Sequence, residues 1–210
     1  MATKASLSRQ KILDAASSAF AEEGFAGARV DAIAQRAGVN KAMLYYHIGD
    51  KRALYGEVLK RNFGRIEKAL TEGLPEEGSA SDRLRAVITI VERAVAANPD
   101  HPRIVLREFA SGAANLPVEI LQKMLGLLTV VRDILVEGTG SGEFRSTEPV
   151  MTHLTLIGAI LMLSVVNPLR ERAIDFGPTI DFPGPETDIA TFLGDLLLQG
   201  IATPRSGENT

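Results

Sequence analysis

The sequence predicts an all-α chain, and three observations predict it. Apolar residues recur at three- and four-residue spacing in segment after segment, which is the period of a helix. No segment alternates apolar and polar residues over the length of a strand, and none repeats. Glycine, proline and short polar residues punctuate the helical segments where caps and turns belong. The expected architecture is an N-terminal three-helix unit over residues 1–52 and a larger helical body over residues 53–210, about nine helices in all.

Taken in order, residues 1–7 carry no periodicity. Ser8 is a suitable N-cap for a helix to about Glu23, with Ile12, Ala16 and Phe20 inward at four-residue spacing. A helix start also suits a phosphate, so Ser8 is a candidate contact as well as a cap. Gly24 ends this helix, and Phe25 is placed to plug a small core over Ile33 and Leu44. Val30, Ile33, Ala34 and Ala37 form the inner face of a short second helix, and Gly38 supplies the turn after it. Asn40 caps a third helix that starts at Lys41 and turns Leu44 and Ile48 inward. Gly49 breaks it, and Asp50 caps a long helix from Lys51 through Leu54, Val58, Phe63, Ile66 and Leu70 to about Gly73.

In the body, Pro75–Ser81 reads as a loop, and Ser81 or Asp82 caps a helix carrying Leu84, Val87, Ile88, Val91 and Val95 to near Pro99. His101–Ala113 is a shorter helix, and Pro117, at a first turn, opens a long one to Gly138. Gly138–Ser146 is a glycine-rich loop, and Glu148–Pro149 starts a helix to about Arg172. Gly177–Pro185 is irregular, and a last helix runs from about Glu186 to Gly200.

Two short helices joined by a tight glycine turn are the helix-turn-helix pattern, whose second helix enters the DNA major groove. At about 100° per residue, Leu44 and Ile48 share one side of the helix from Lys41; Ala42, Met43 and Tyr46 share the other, with Lys41, Tyr45 and His47 on the flanks. That outer face suits groove edges and phosphates better than water. The plainer alternative is that both tyrosines pack on neighbouring helices.

Charge supports the same division. Residues 1–68 hold twelve Lys/Arg against seven Asp/Glu, and residues 69–210 hold eleven against nineteen, so a basic head sits on an acidic body. There is no cysteine, which excludes disulfides and cysteine chemistry. His47, His101 and His153 make no metal spacing, and no nucleophile elbow or phosphate loop is present, so neither an enzyme, a metal nor a cofactor is expected. The most apolar run, Leu154–Val166, is thirteen residues, short of the roughly 20 that cross a bilayer. With no signal-peptide pattern, the expectation is a soluble cytoplasmic protein without a membrane partner, nucleoid-associated when on DNA.

The stretch Ala37-Gly38-Val39-Asn40-Lys41, Leu44-Tyr45-Tyr46-His47-Ile48, Asp50-Lys51 and Ala53-Leu54 resembles the DNA-binding domain of the TetR family of bacterial transcriptional regulators. Ile12, Ala15-Ala16, Phe20, Gly24-Phe25, Val30 and Ile33-Ala34 match its first two helices. The resemblance covers about the first quarter of the chain. Two positions depart from it: Arg29 stands where the family usually has Ser or Thr, and Met43 where it has a small residue. Both bear on base preference.

The resemblance implies a homodimeric repressor released from a palindromic double-stranded operator by a small-molecule effector. The expected DNA contacts are Ser8, Arg29, Asn40, Lys41, Ala42, Met43, Tyr45, Tyr46, His47 and Lys51. The dimer is expected to bury Leu154, Ile157, Leu161, Phe192, Leu193, Leu196 and Leu197, which are more apolar surface than one small body needs. Apolar candidates for an effector cavity are Phe63, Val91, Phe109, Leu121, Met124 and Leu128, with Arg107 among its polar anchors, beside Arg103, Glu108 and Gln122. The competing readings are an effector-independent architectural DNA-binding protein, and an all-helical enzyme or lipid carrier in which the helix-turn-helix match is accidental.

Overall fold

The computed structural model describes residues 4–166 and 187–203. The expected helix continuation to Arg172, the irregular stretch Gly177–Pro185 and Glu186 fall outside those residues. Among the described residues there are nine helices: α1 Lys4–Gly27, α2 Val30–Ala37, α3 Lys41–Ile48, α4 Lys51–Gly73, α5 Ala80–Ala96, α6 Asp100–Ala110, α7 Val118–Gly140, α8 Pro149–Val165 and α9 Ile189–Ile201. Among the described residues, an isolated antiparallel bridge joins Phe144 and Ala202.

Helix ends follow local chemistry with three corrections. Ser8 does not cap α1, which begins at Lys4 and carries Ser8 inside its second turn. Nothing in Lys4-Ala5-Ser6-Leu7 breaks a helix, and helical propagation needs no apolar periodicity once a breaker is absent. Ser79, not Ser81 or Asp82, caps α5: its Oγ accepts from the Asp82 N–H at 3.0 Å. The Asp82 carboxylate returns the favour by accepting from the Ser79 hydroxyl at 2.7 Å. α6 stops at Ala110 because Gly112 and Ala113 both turn left-handed (φ 76° and 59°). Inside α1, Gly24 is non-helical (φ 72°), so the regular helix ends at the expected glycine and only a short turn follows.

The chain forms two compact units. The first contains the residues through Arg65 and Asn98–Met124; the second contains Ile66–Ala97 and the described residues from Leu125 onward. In the first, Ile12, Ala16 and Phe20 of α1 pack with Ile33 of α2, Leu44 of α3 and Leu54 and Val58 of α4. Phe25 joins the edge of this core, its ring 6.3 Å from Phe20 and 5.1 Å from Tyr55. Among the buried polar side chains of this unit is Glu108, 3% exposed, which accepts from the Tyr55 hydroxyl at 2.9 Å and from the Asn115 N–H at 2.6 Å. Burial, and then the hydrogen bond to Glu108, push the Tyr55 phenol above its ordinary range.

In the second unit the inner faces of α5 (Leu84, Ile88, Val91), α8 (Leu156, Ile160, Leu161) and α9 (Leu193, Leu198) are buried. Helix α5 packs on both α8 and α9. The loop after α7 is fastened by two adjacent residues. Glu143 accepts from the Ala80 and Ser81 N–H groups at 2.9 and 3.0 Å, covering the start of α5. Phe144, 2% exposed, packs against Gly138.

Candidate nucleic-acid interface

The helix-turn-helix is built from short-range backbone chemistry. At the end of α2, Gly38 is left-handed (φ 67°, ψ 31°); its N–H bonds the Gln35 carbonyl at 3.1 Å, and the Val39 N–H bonds Ala34 at 3.0 Å. That pair of bonds satisfies carbonyls the helix end would leave open. Asn40 then caps α3, its Oδ1 accepting from the Met43 N–H at 2.7 Å. At the far end Gly49 takes φ 102°, ψ −146°, a conformation closed to side chains, and Asp50 caps α4 by accepting from the Ala53 N–H at 2.8 Å. Four residues, Gly38, Asn40, Gly49 and Asp50, thus fix where α3 starts, stops and points.

Leu44 anchors α3 in the core at 0% exposure, and Ile48 is half-buried against it. The opposite face and one flank are open: Tyr46 is 87% exposed, Met43 38% and, on the flank, Tyr45 43%. Three large side chains with apolar bodies therefore stand in solvent on an eight-residue helix. Lys41 forms an ion pair with Asp31 of α2 at 2.8 Å. That hydrogen bond holds the Asp31 carboxyl below its ordinary range and the Lys41 ammonium above its own. The Tyr46 and His47 rings meet edge to face at 5.4 Å. Arg29 precedes α2 in an extended conformation and makes no side-chain cap. Lys51 donates to the Ala26 carbonyl at 3.1 Å, with its ammonium 5.0 Å over the Phe25 ring.

Lys41, Ala42, Met43, Tyr45, Tyr46 and His47 therefore lie on α3, Asn40 caps it and Lys51 opens the next helix, whereas Arg29 precedes α2 and Ser8 lies within α1. Asp31 was not foreseen: it meets Lys41 from ten residues upstream, across the turn, where periodicity gives no signal.

Of the residues expected at an effector cavity, Phe63 packs edge to face on His101 at 5.0 Å, and Met124 lies against the first core. Val91 is buried, Leu128 is half-buried, and Phe109 and Leu121 are exposed. Arg107 donates to the Ala21 and Glu22 carbonyls at 3.1 and 3.0 Å, closing the end of α1. With Glu108 it also lines a cleft of about 360 Å³ beside Phe25 and Asn115. Of the expected dimer residues, Leu154, Phe192 and Leu196 are 56–59% exposed and Ile157 and Leu197 half-buried. Leu161 and Leu193 are buried inside their own unit, whereas Met151 and Met162 extend the open face of α8.

Comparison with known proteins places this geometry. A family model described as "Bacterial regulatory proteins, tetR family" matches residues 12–58, and one described as "Tetracyclin repressor-like, C-terminal domain" matches residues 77–164. The HTH-type transcriptional repressor NicS of Pseudomonas putida is 28% identical over 204 residues, 95% of each chain. The HTH-type transcriptional repressor SCO4008 of Streptomyces coelicolor is 30% identical over 169 residues, 79% of this chain and 82% of that one. Among solved structures, the transcriptional regulator FadR from Bacillus subtilis in complex with stearoyl-CoA superposes with a TM-score of 0.65 at 22% identity, over 91% of this chain and 98% of that one.

Proposed function

The chain belongs to the TetR family of bacterial regulatory proteins, and from that premise we propose that it is a homodimeric repressor whose hold on a palindromic operator is relaxed by a small-molecule effector. It is a DNA-binding transcriptional regulator. The observation that carries the reading is the capped, eight-residue α3 with Met43, Tyr45 and Tyr46 standing in solvent. A soluble chain has no reason to leave three such side chains on one short helix unless another surface covers them. Lys41, His47 and Lys51, with Arg29 at the entry to α2, take phosphates or base edges around them. We assign DNA reading to residues 1–52 and effector binding and dimerisation to residues 53–210.

The effector is supported by the relatives. FadR, which shares the fold, was crystallised with stearoyl-CoA. In this chain Phe63, on α4 between the DNA-reading residues and Gly73, is the candidate sensor. An effector that favours one spacing of the two heads shifts the dimer toward it. A coupling of roughly 1–3 kcal/mol lowers DNA affinity about 5–150-fold, and operator must weaken effector binding by the same factor.

The test is fluorescence anisotropy with DNA from the promoter region next to the gene. The wild-type chain is expected to bind a near-palindromic fragment, and Tyr46→Ala to lose most of that affinity with the fold intact. Equal binding by Tyr46→Ala, or no preference for any fragment over bulk DNA, removes the assignment of α3 as the reading helix.

A further inference from the structure

Beside the last turn of α3 a cleft of about 530 Å³ opens in the first unit. Its cations come from three helices: Arg9 of α1, Arg52 and Lys60 of α4, and Lys123 of α7, with His47 of α3 beside them. Its acids are Glu57, which is ion-paired with Arg9, and Glu119. Four cations against two carboxylates leave the lining at about +2 with histidine neutral. Apolar lining comes from Ile48, Ala53, Pro117 and Ile120.

The placement of these charges is specific. Arg52, Gly56 and Lys60 fall at four-residue steps on one stripe of α4, so the two cations stand about 12 Å apart along the axis with a bare glycine between them. Among the described residues neither Arg52 nor Lys60 has an ion-pair partner. Like charges lining a concave surface repel one another and raise the local positive potential. Arginine and lysine together suit phosphate, the one through its planar fork and the other as a point charge. The volume is that of a small-molecule site, in which a mostly apolar wall is joined by a few polar anchors. A long polyanion is less suited, because Glu57 and Glu119 would lie along its path.

We propose that this cleft binds a small phosphorylated anion of nucleotide size, its phosphates between Arg52, Lys60 and Lys123 and its apolar part against Ile48, Pro117 and Ile120. Arg52 directly follows Lys51, assigned above to DNA, so an anion held there sets negative charge beside the operator and opposes DNA binding. Only that consequence rests on the DNA-binding reading; anion binding itself is measured on the free protein.

The experiment is calorimetric titration of the full-length chain, free of DNA and magnesium at low salt, with ADP and with inorganic pyrophosphate as the phosphate-only probe. ADP is expected to bind saturably, one per protomer, with pyrophosphate weaker and competitive. Lys60→Gln with Lys123→Gln is expected to weaken ADP about tenfold or more, since both charge-assisted contacts go. Its melting temperature and operator affinity should stay at wild-type values. No saturable heat from either probe at millimolar concentration overturns the proposal, as does unchanged ADP affinity in the double variant. A variant that keeps ADP affinity but loses operator affinity, with a salt slope smaller by about two, assigns these lysines to the DNA backbone instead. None of these failures touches the Tyr46→Ala result, which tests the DNA reading separately.

Discussion

Lys51 donates its ammonium to the Ala26 carbonyl at 3.1 Å and lies over the Phe25 ring, so it fastens the start of α4 to the end of α1. The phosphate role proposed for it would add to that contact. Lys51→Ala is therefore expected to lower both stability and operator affinity, and the affinity alone does not separate the two causes. The salt dependence does: losing one phosphate contact reduces the slope of log K against log salt by about one. A Lys51→Ala protein that binds more weakly with the wild-type slope has lost only its internal staple. Asp31 gives the opposite case. Its carboxylate holds Lys41 at 2.8 Å, so Asp31→Asn frees a cation at the first residue of α3 and should steepen the slope and tighten binding. Met43 has no charge to offer, so Met43→Thr is expected to change base preference and leave the slope alone.

His101 is 3% exposed with its Nδ1 unpartnered, packed edge to face on Phe63. Burial lowers its pKa from 6.5 to about 4. In the unfolded chain the ring takes a proton near pH 6.5; in the folded chain it resists until about pH 4. Between those values the unfolded state binds more protons, so stability falls as the pH falls. The full window is worth at most about 3 kcal/mol. His153, also lowered by burial, adds to the same slope. Denaturant melts from pH 7 to pH 4 should show that loss, and His101→Leu should flatten it. An unaltered slope in His101→Leu would mean another group titrates there.

At the scale of elements, Gly138 sets local propensity against packing. It lies within α7, where alanine is ordinarily better than glycine by about 1 kcal/mol. A Cβ at that point, however, would overlap the Phe144 ring and come within 2.9 Å of the Ala80 Cβ. Both neighbours are buried, and Phe144 is fastened by its N–H bond to the Gly138 carbonyl at 2.9 Å and by its bridge to Ala202. Overpacking such a site costs about 1–3 kcal/mol, which outweighs the propensity gain. Gly138→Ala is expected to melt lower by up to roughly 8 °C; a higher melting point would show that the ring moves aside without cost. The same contrast explains what could be read from the chain beforehand. Gly38, Asn40 and Asp50 act on bonds within a few residues, so their roles were legible as cap and turn chemistry. The start of α1 was not, because a helix can run through Lys4–Leu7 without an apolar stripe to announce it. The Ser79 cap was legible in principle, since Ser79 and Asp82 stand at capping-box spacing, but Ser81 and Asp82 are equally good caps by type. Pairs made across the fold, such as Tyr55 with Glu108 and Lys41 with Asp31, leave no trace in periodicity.

For the whole molecule the open question is which surface meets a second copy. The second unit buries Leu161 and Leu193 within itself, so an aspartate at either would test its core and leave the interface unread. Among the apolar residues left outside are Met151, Leu154 and Met162 on α8 and Phe192 and Leu196 on α9, each more than half exposed. Leu154 and Met162 are eight residues apart, and Phe192 and Leu196 four, so each set keeps to one side of its helix. Two neighbouring helices that each present an exposed apolar stripe are the usual half of a bundle completed by a symmetry mate. Leu154→Asp with Leu196→Asp puts charges where they are solvated in the monomer and buried without partners in the dimer. The double variant is expected to keep its helical content and melt cooperatively while sedimenting as a monomer at micromolar concentration. Operator affinity should fall with it, because one head reads one half-site and the second half-site is reached only through the partner's head, about 34–36 Å away. A double variant that stays dimeric and holds the operator as wild type does would move the interface off these two faces.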